Sequence, residues 1–333
     1  MRTKRLSLIA LASYGIVAAE LQSSNADTAK EDFNYPGGSE VFGQEGGSGW
    51  AGPWQSFQGN GTVLTETGSL TYPGLATSGE KMHFTGVPAT GTTTVAYRFL
   101  STPLTSGTTN YVRVLVQNLN NSARYFGLAL FDGSTERMLL GQGSTFTTWT
   151  MNRVVITNDV ATNSVVSAVD SSALALLVLK LELFEVDAVN LNGVERMTLW
   201  VNPDLSQPEN LAAAVNGTNY VTDRDFGQIT RVRIGGGGYS ATAGGDPTEH
   251  YLDEIVISSV SPFAPNLSYS VAGGEITLSW PPEHLGWILQ SQTGALNGGN
   301  WVDVLNSDLV TSMSLPINPA NPTEFFRLRP PQP

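Results

Sequence analysis

The feature that most constrains the fold of this 333-residue chain is its long series of short apolar runs, separated by clusters of Gly, Asn, Ser and Pro. Runs rich in Val, Ile, Thr, Tyr and Phe that end at such turn formers are typical of β-strands. In residues 111–117, Val112, Val114 and Val116 fall on one face of a strand, and Arg113 and Gln117 fall on the other. No segment supplies the crossover helices that a parallel sheet needs. The sequence therefore predicts an all-β, mostly antiparallel sandwich.

A change of texture near residue 260 divides the chain into two predicted domains. Pro262 and Pro265 lie in a segment without strand alternation, and a second set of short strands with turn signals follows it. We expect a larger β-sandwich domain over residues 31–260. Residues 266–333 have the strand number and spacing of a small immunoglobulin-like or fibronectin-like sandwich.

The N-terminus has the pattern of an export signal. Arg2, Lys4 and Arg5 precede the apolar residues 6–19, a stretch too short to span a bilayer core of roughly 30 Å. Small residues suitable for cleavage end at Ala26. We expect residues 1–26 to be a removed signal peptide and the protein to be secreted or held at the cell surface, the alternative being a core helix. No later run predicts a membrane span.

Composition excludes several classes of function. The formal charge is −12, with 17 Lys and Arg against 29 Asp and Glu, which disfavours a nucleic-acid partner because phosphate contacts need clustered cations. The absence of Cys excludes a disulfide framework and a thiolate metal site. His83, His250 and His284 have no zinc-like spacing, and surface positions are expected for all three. His250 is notable for the acidic residues around it.

Several segments resemble a known family. Residues 32–38 (DFNYPGG), 46–54 (GGSGWAGPW), 199–204 (LWVNPD) and 251–257 (YLDEIVI) resemble concanavalin A-like, LamG-type jelly-roll proteins exported by planctomycete and verrucomicrobial bacteria. The tail is similar to a C-terminal accessory module found in the same bacteria. The resemblance implies a concanavalin A-like jelly-roll sandwich of two sheets, often binding glycans, proteins or a structural calcium ion. It does not imply one activity, because one fold hosts many functions.

Calcium is the ion expected in such a fold. Jelly-roll termini usually lie side by side, and Asp32 and Asp253 open the predicted first and last strands, where the family resemblance often places a structural calcium. Carboxylate and carbonyl oxygens are the ligands that this hard cation takes. We expect Asp32 and Asp253 to be ligands, the alternative being two surface carboxylates.

Three aromatic residues are candidates for polysaccharide binding. Trp50 and Trp54 flank a Gly-Pro turn, and Tyr239 lies in the glycine-rich stretch 235–246. Exposed aromatic faces stack on the apolar faces of sugar rings. The alternatives are that the tryptophans are packed anchors and that the glycine-rich stretch is only a flexible connection.

One segment offers a partial catalytic motif. Glu185 and Asp187 begin a pattern like the strand motif of jelly-roll glycoside hydrolases, with Glu185 in the nucleophile position. A retaining hydrolase needs a second carboxyl group about 5 to 5.5 Å away. The position of that acid/base residue is Asn190, an amide, and Glu195 lies too far along the chain to share the face. The alternative is a set of solvated carboxylates at a strand end.

Three functional hypotheses remain open from the sequence. The first is an exported, non-enzymatic recognition or adhesion protein that binds polysaccharide or a cell-surface glycan. The second is a glycan-cleaving enzyme with Glu185 as nucleophile. The third is a structural component of the cell surface or matrix, retained there by its C-terminal module.

Overall fold

The structure, a computed structural model, describes most of the chain, and the predicted signal peptide lies outside the described part. The described residues are 27–58, 61–86, 93–120, 123–153, 164–185, 195–215, 220–221, 226–237, 248–293, 300–319, 321 and 323–329. The chain divides into two compact units. The first contains Asp27–Asp204 and Ala212–Ser259, and the second contains Leu205–Leu211 and Val260–Pro333. The described residues include no helix long and apolar enough to cross a bilayer.

One sheet of the first unit has eight strands. They are β1 (Ala29–Glu31), β3 (Thr62–Glu66), β4 (Lys81–Thr85), β6 (Thr109–Asn118), β11 (Ala175–Glu182), β12 (Arg196–Val201), β13 (Tyr220–Val221) and β15 (Glu249–Ser258). Their order is β13-β12-β11-β6-β15-β4-β3, with β1 beside β15.

The other sheet of this unit has seven strands. They are β2 (Gln55–Gln58), β5 (Thr93–Leu104), β7 (Phe126–Asp132), β8 (Thr135–Gln142), β9 (Thr148–Arg153), β10 (Ser164–Asp170) and β14 (Ile229–Gly237). Their order is β10-β9-β8-β7-β14-β5-β2, and the strand pairs described in both sheets are antiparallel.

The two sheets share one apolar core, which makes the first unit a jelly-roll sandwich. Val112, Val114 and Val116 of β6 lie fully buried in the same cluster as Leu128 and Leu130 of β7. The alternation predicted over residues 111–117 is therefore confirmed, since all three valines face the core. The predicted all-β fold class is confirmed as well.

The first and last strands of this unit are neighbours, as the jelly-roll expectation requires. Ala29 pairs with Ile257 and Glu31 with Ile255, so β1 runs antiparallel along the second half of β15. The first half of β15 pairs with β4 on the same side. The register of β15 against β6 shifts between Asp253 and Val256, which marks a bulge next to the β1 pairing.

The second unit holds two three-stranded antiparallel sheets. One is β16-β17-β20, formed by β16 (Ser268–Ala272), β17 (Glu275–Ser279) and β20 (Ser312–Pro316); the other is β19-β18-β21, formed by β18 (Ile288–Thr293), β19 (Val302–Asp303) and β21 (Glu324–Arg329). Leu278, Trp280 and Leu289 form its small core. Two 3₁₀ turns, Pro282–His284 and Ser307–Leu309, join strands. Its immunoglobulin-like or fibronectin-like kinship stays a prediction.

Candidate functional site

The outer face of the seven-stranded sheet carries a surface that the sequence did not single out. Along β5, β7 and β14, core residues alternate with outward-facing ones because strand side chains have a period of two. Val232 and Ile234 of β14 lie in the core, so Arg231 and Arg233 project outward. We call this surface the aromatic–arginine face; its members are Tyr97, Phe99, Tyr125, Phe131, Arg231 and Arg233.

Strand register brings these residues into two adjacent rows. In one row, Phe99, Arg231 and Phe131 are consecutive cross-strand partners on β5, β14 and β7. In the next row, Tyr97 is paired with Arg233 on one side and with the exposed Gln55 on the other. Cross-strand partners have Cβ atoms about 4.5–5.5 Å apart, so each row is a continuous strip of side chains.

Arg231 lies at the centre of the face, surrounded by aromatic rings. Its Cζ atom is 4.8 Å from the ring centroid of Tyr97, 4.7 Å from that of Phe131 and 5.8 Å from that of Phe99. Contacts at this range are cation–π interactions, which align the guanidinium group without using its N–H donors. Burial lowers the pKa of Arg231, and the like charge of Arg233 contributes in the same direction.

Arg233, in contrast, has its polar partners within the protein. Its Nη2 atom lies 2.7 Å from Glu136 Oε2 and donates to Tyr125 Oη at 2.6 Å. Burial raises the pKa of Glu136 and raises that of Tyr125 to about 12. Tyr125 therefore stays protonated at neutral pH and Glu136 is held in an ion pair, so neither is poised as a general base.

The two predicted tryptophans belong to a buried polar network next to β1. Glu31, which is fully buried, accepts hydrogen bonds through Oε2 from Trp54 Nε1 at 2.9 Å, Tyr35 Oη at 2.8 Å and Arg98 Nη1 at 2.6 Å. Burial raises the pKa of Glu31, while these donors oppose the increase. Trp50 donates through Nε1 to the Lys30 carbonyl at 2.9 Å.

This network corrects the prediction for Trp54. Its side chain is 1% exposed, so neither face of the ring is available to a sugar. The ring centroids of Trp50 and Trp54 lie 5.9 Å apart, and the Arg98 guanidinium lies 5.2 Å from the Trp50 ring centroid. Trp50 is half-buried against the core. Trp54 is thus a packed anchor, the alternative that the sequence left open, whereas ligand binding by Trp50 stays a prediction. Tyr239 lies outside the described residues.

Glu185 does not lie on a strand. β11 ends at Glu182, and Glu185 follows in an exposed coil segment, with its Oε1 atom next to Gly107 in the turn between β5 and β6. Asp187 and Asn190 lie outside the described residues. Glu195 is fully buried, and its carboxylate accepts the backbone N–H groups of Phe184 and Phe226 at 2.8 and 3.1 Å. The catalytic interpretation required the strand to extend through Glu185, and β11 ends before it.

The predicted calcium ligands lie where β1 and β15 meet, but their carboxylates differ in hydrogen bonding. Asp253 Oδ2 accepts from Ser69 Oγ at 2.7 Å and from the Leu70 N–H at 2.8 Å, and Oδ1 accepts from the Glu254 N–H. Burial raises the pKa of Asp253 to about 7 despite these donors. Asp32 is more accessible, and its Oδ2 accepts from Ser78 Oγ at 2.9 Å. Among the described residues, no three acidic or histidine side chains cluster as metal ligands.

The neighbouring Glu254 is the residue at this junction that the sequence analysis missed. It is 1% exposed and has a left-handed backbone, with φ of 51°. Its Oε1 atom accepts the Ser78 N–H, whereas its buried Oε2 atom accepts no hydrogen bond from the described residues. Burial raises the pKa of Glu254, and the charge of Asp32 acts in the same direction. A bulge at residues 253–254 leaves no mark in the alternation of the sequence. The sequence analysis therefore did not identify Glu254.

Of the three histidines for which a surface position was predicted, only His83 is at the surface. His83 is partly exposed beside Glu66, whereas His250 and His284 are 0% and 3% exposed. His250 stacks on Phe126 with ring centroids 4.0 Å apart. The surface position expected for His250 is wrong, because its place in the alternation of β15 turns the imidazole into the sandwich.

A signal for the aromatic–arginine face was present in the sequence. The segments Tyr97-Arg98-Phe99 and Arg231-Val232-Arg233 each place two large polarizable side chains on one strand face. Nothing local indicated that the two segments pair, or that Arg98 of the first points inward to Glu31.

Comparisons with known proteins give a likeness of fold only. No family model and no curated protein matches the chain. Among solved structures, an endo-β-1,4-glucuronan lyase from Trichoderma reesei is 10% identical with a TM-score of 0.42, covering 71% of this chain and 96% of that chain. An endo-1,3-β-glucanase from Streptomyces sioyaensis is 11% identical with a TM-score of 0.41, covering 70% and 95%. A family 16 glycosyl hydrolase from Mycobacterium smegmatis is 10% identical with a TM-score of 0.39, covering 70% and 100%. At such values no activity is carried over to this chain.

Proposed function

We propose that this chain is an exported, non-enzymatic recognition protein that binds polysaccharide on its aromatic–arginine face. The observation that carries the proposal is the exposed ring of Phe99. It is 38% exposed, and among the described residues of the first unit it is the only large apolar side chain exposed to this degree. A single exposed apolar side chain is common on a protein surface, but Phe99 belongs to a cluster of rings with Tyr97 and Phe131, and clustered apolar surface marks interaction sites.

The surroundings of Phe99 suit a sugar ring. Tyr97 packs edge-to-face on it, with centroids 5.7 Å apart and an interplanar angle of 85°. An exposed ring supplies an apolar face for stacking on the C–H side of a sugar, and Gln55 beside Tyr97 supplies an amide for hydroxyl groups. These elements lie on paired strands, so the platform is preorganised before a ligand arrives.

We propose a non-enzymatic role because of the surroundings of three glutamates among the described residues. Glu185 lies in coil, Glu195 is occupied by two backbone donors, and Glu136 is paired with Arg233. If the proposal is correct, purified protein bound to a polysaccharide releases no reducing ends and no unsaturated products, and Glu185→Gln binds as the wild type does. Cleavage that Glu185→Gln abolishes would contradict it.

Binding is tested by affinity electrophoresis in gels that contain a panel of neutral and acidic polysaccharides. Phe99→Ala should weaken the affinity measured by retardation at least ~5-fold, since loss of a stacking ring costs on the order of 1–3 kcal/mol. Tyr269→Ala is the matched control, because Tyr269 is a 74% exposed aromatic residue of the second unit. Equal retardation of wild type and Phe99→Ala would overturn the assignment of the face.

Calcium binding at the β1–β15 junction is a second part of the proposal. Glu254 Oε2 is a buried carboxylate oxygen that accepts no hydrogen bond from the described residues, and a cation would satisfy it. We propose Asp32 and Glu254, rather than Asp32 and Asp253, as the side-chain ligands, because the carboxylate of Asp253 already accepts three hydrogen bonds. The ion would join the first strand of the sandwich to the last.

The calcium proposal is tested by thermal unfolding in EDTA and in calcium. Calcium at 100 times its dissociation constant should stabilise the wild type by about 2.7 kcal/mol. Glu254→Gln should lose this gain, while Glu249→Gln, a matched change on the same strand, should keep it. A full calcium shift in Glu254→Gln would exclude this pair of ligands.

Export is the remaining part of the proposal and rests on residues 1–26 alone. Fractionation of the producing cells, followed by N-terminal sequencing, should find mature protein beginning after Ala26 outside the cytoplasm. Protein that stays intracellular with its N-terminus intact would contradict it.

A further inference from the structure

We infer that the polysaccharide is acidic and that its carboxylate or sulfate groups pair with Arg231. This inference rests on the proposed function, since it names the ligand class of the same face. It comes from the partners of the two arginines rather than from the exposed ring.

Arg231 is oriented but not neutralised. Three aromatic rings hold its guanidinium group, and its buried Nε–H has no acceptor among the described residues. Rings that hold the guanidinium plane reduce the side-chain entropy that an anion would otherwise have to remove on binding. The planar N–H fork of arginine matches a carboxylate or a sulfate in two-point geometry.

Arg233, one row away, is the internal comparison. Glu136 Oε2 lies 2.7 Å from its Nη2 atom, and Tyr125 Oη accepts a hydrogen bond from the same nitrogen. The two outward-facing arginines of β14 therefore differ: Arg233 has a carboxylate partner, whereas the contacts of the Arg231 guanidinium with the described residues are with aromatic rings. Arg231 is the one that a ligand can use.

The local charge also favours an anion, although the chain as a whole is acidic. Arg231, Arg233 and Glu136 together carry one net positive charge, and the nearby Arg137 and Asp132 form a neutral pair at 2.6 Å. Charges beyond a Debye length of about 8 Å at physiological salt are largely screened, so the net charge of −12 does not decide binding at this face.

Affinity electrophoresis and calorimetry measure the affinity of the protein for three polymers. These are alginate as a carboxylate polymer, dextran sulfate as a sulfate polymer and dextran as the neutral reference. Wild type should bind one or both acidic polymers at least ~10-fold more tightly than dextran, with affinity falling as salt rises. Arg231→Gln should lose at least ~10-fold on the acidic polymer, as expected for one charge-assisted pair. Arg231→Lys should lose less than Arg231→Gln, because it keeps the charge without the fork.

Arg327→Gln is the matched control, since Arg327 lies over the Trp301 ring at 4.2 Å in the second unit. Urea unfolding of each variant confirms that the fold is intact. Binding that prefers neutral polymer, or that Arg231→Gln leaves unchanged while Phe99→Ala abolishes it, overturns this inference and leaves the proposed function standing. No binding to any polymer by the folded wild type, here and across the wider panel, overturns both.

Discussion

The buried imidazole of His250 makes a quantitative prediction about stability and pH. The side chain is fully buried, stacks on Phe126 at 4.0 Å and lies 6.1 Å from the ring centroid of Phe84. Neither ring nitrogen has a hydrogen-bond partner in the described part of the chain. Burial in this apolar place lowers the pKa of His250 from 6.5 to about 3. The neutral form is therefore the one that the fold accepts.

The sign and size of the effect follow from linkage. Above pH 6.5 the imidazole is neutral in both the folded and the unfolded chain, so the stability contribution is fully present. As pH falls from 6.5 towards 3, the unfolded chain takes up a proton that the folded chain refuses, and stability is lost. Each pH unit in this window costs about 1.4 kcal/mol, so His250 alone removes about 3 kcal/mol between pH 6.5 and pH 4.5.

The assay is urea unfolding of wild type and His250→Phe from pH 4.5 to pH 7.5, in EDTA. Phenylalanine keeps an aromatic ring against Phe126 and cannot take up a proton. The free energy of unfolding of His250→Phe minus that of wild type should rise by about 3 kcal/mol as pH falls from 7.5 to 4.5. Ile234→Val is the control, because a non-titrating core change should lower stability by about 0.5–1.5 kcal/mol equally at every pH.

A difference between His250→Phe and wild type that stays constant with pH would refute the reasoning. His250→Leu is a second non-titrating variant, which distinguishes the lost proton from any strain introduced by the larger ring. NMR gives an independent measurement: the imidazole resonance missing from His250→Phe should titrate well below pH 5 in the folded protein.

Two further predictions concern the network around Glu31. Arg98→Met leaves the Glu31 carboxylate buried without its cation 2.6 Å away, so it should lower the free energy of unfolding by about 3–5 kcal/mol, and adding Glu31→Gln should recover part of that loss in urea titrations. An additive or larger loss in the double variant would contradict the idea that the unpaired charge is the cost. Trp54→Phe removes one donor to Glu31 and should cost about 1–3 kcal/mol of stability without changing polysaccharide binding, as measured by unfolding and affinity electrophoresis side by side. A loss of binding with unchanged stability would return Trp54 to the ligand site.

Local pattern was sufficient for the strands and for the burial of many of their residues. Val112, Val114 and Val116 recur every second residue, which is the period of a strand. Burial of an apolar strand face is favourable, so this face packs against a second sheet. The expected neighbourhood of the first and last strands also agrees with the pairing of Ala29 with Ile257.

Local pattern was not sufficient where a side chain depends on a distant partner. The loop position of Trp54 made it a candidate for an exposed ring, yet the ring is buried. Its N–H donates to Glu31, which also binds Arg98, and both residues come from other parts of the chain. A surface position was expected for His250 as for the other histidines, yet the alternation of β15 places its ring against Phe126.

The sequence by itself determined that this protein is built of antiparallel strands and which side chains of many strands share a face, because the period of a strand is a local property. The tertiary structure alone decided that Phe99 lies beside Arg231 and that Arg233, rather than Arg231, meets Glu136. Those neighbours come from the order and register of β5, β14, β7 and β8. Order and register are set by the burial of the whole core at once, a long-range condition that no short segment of sequence contains.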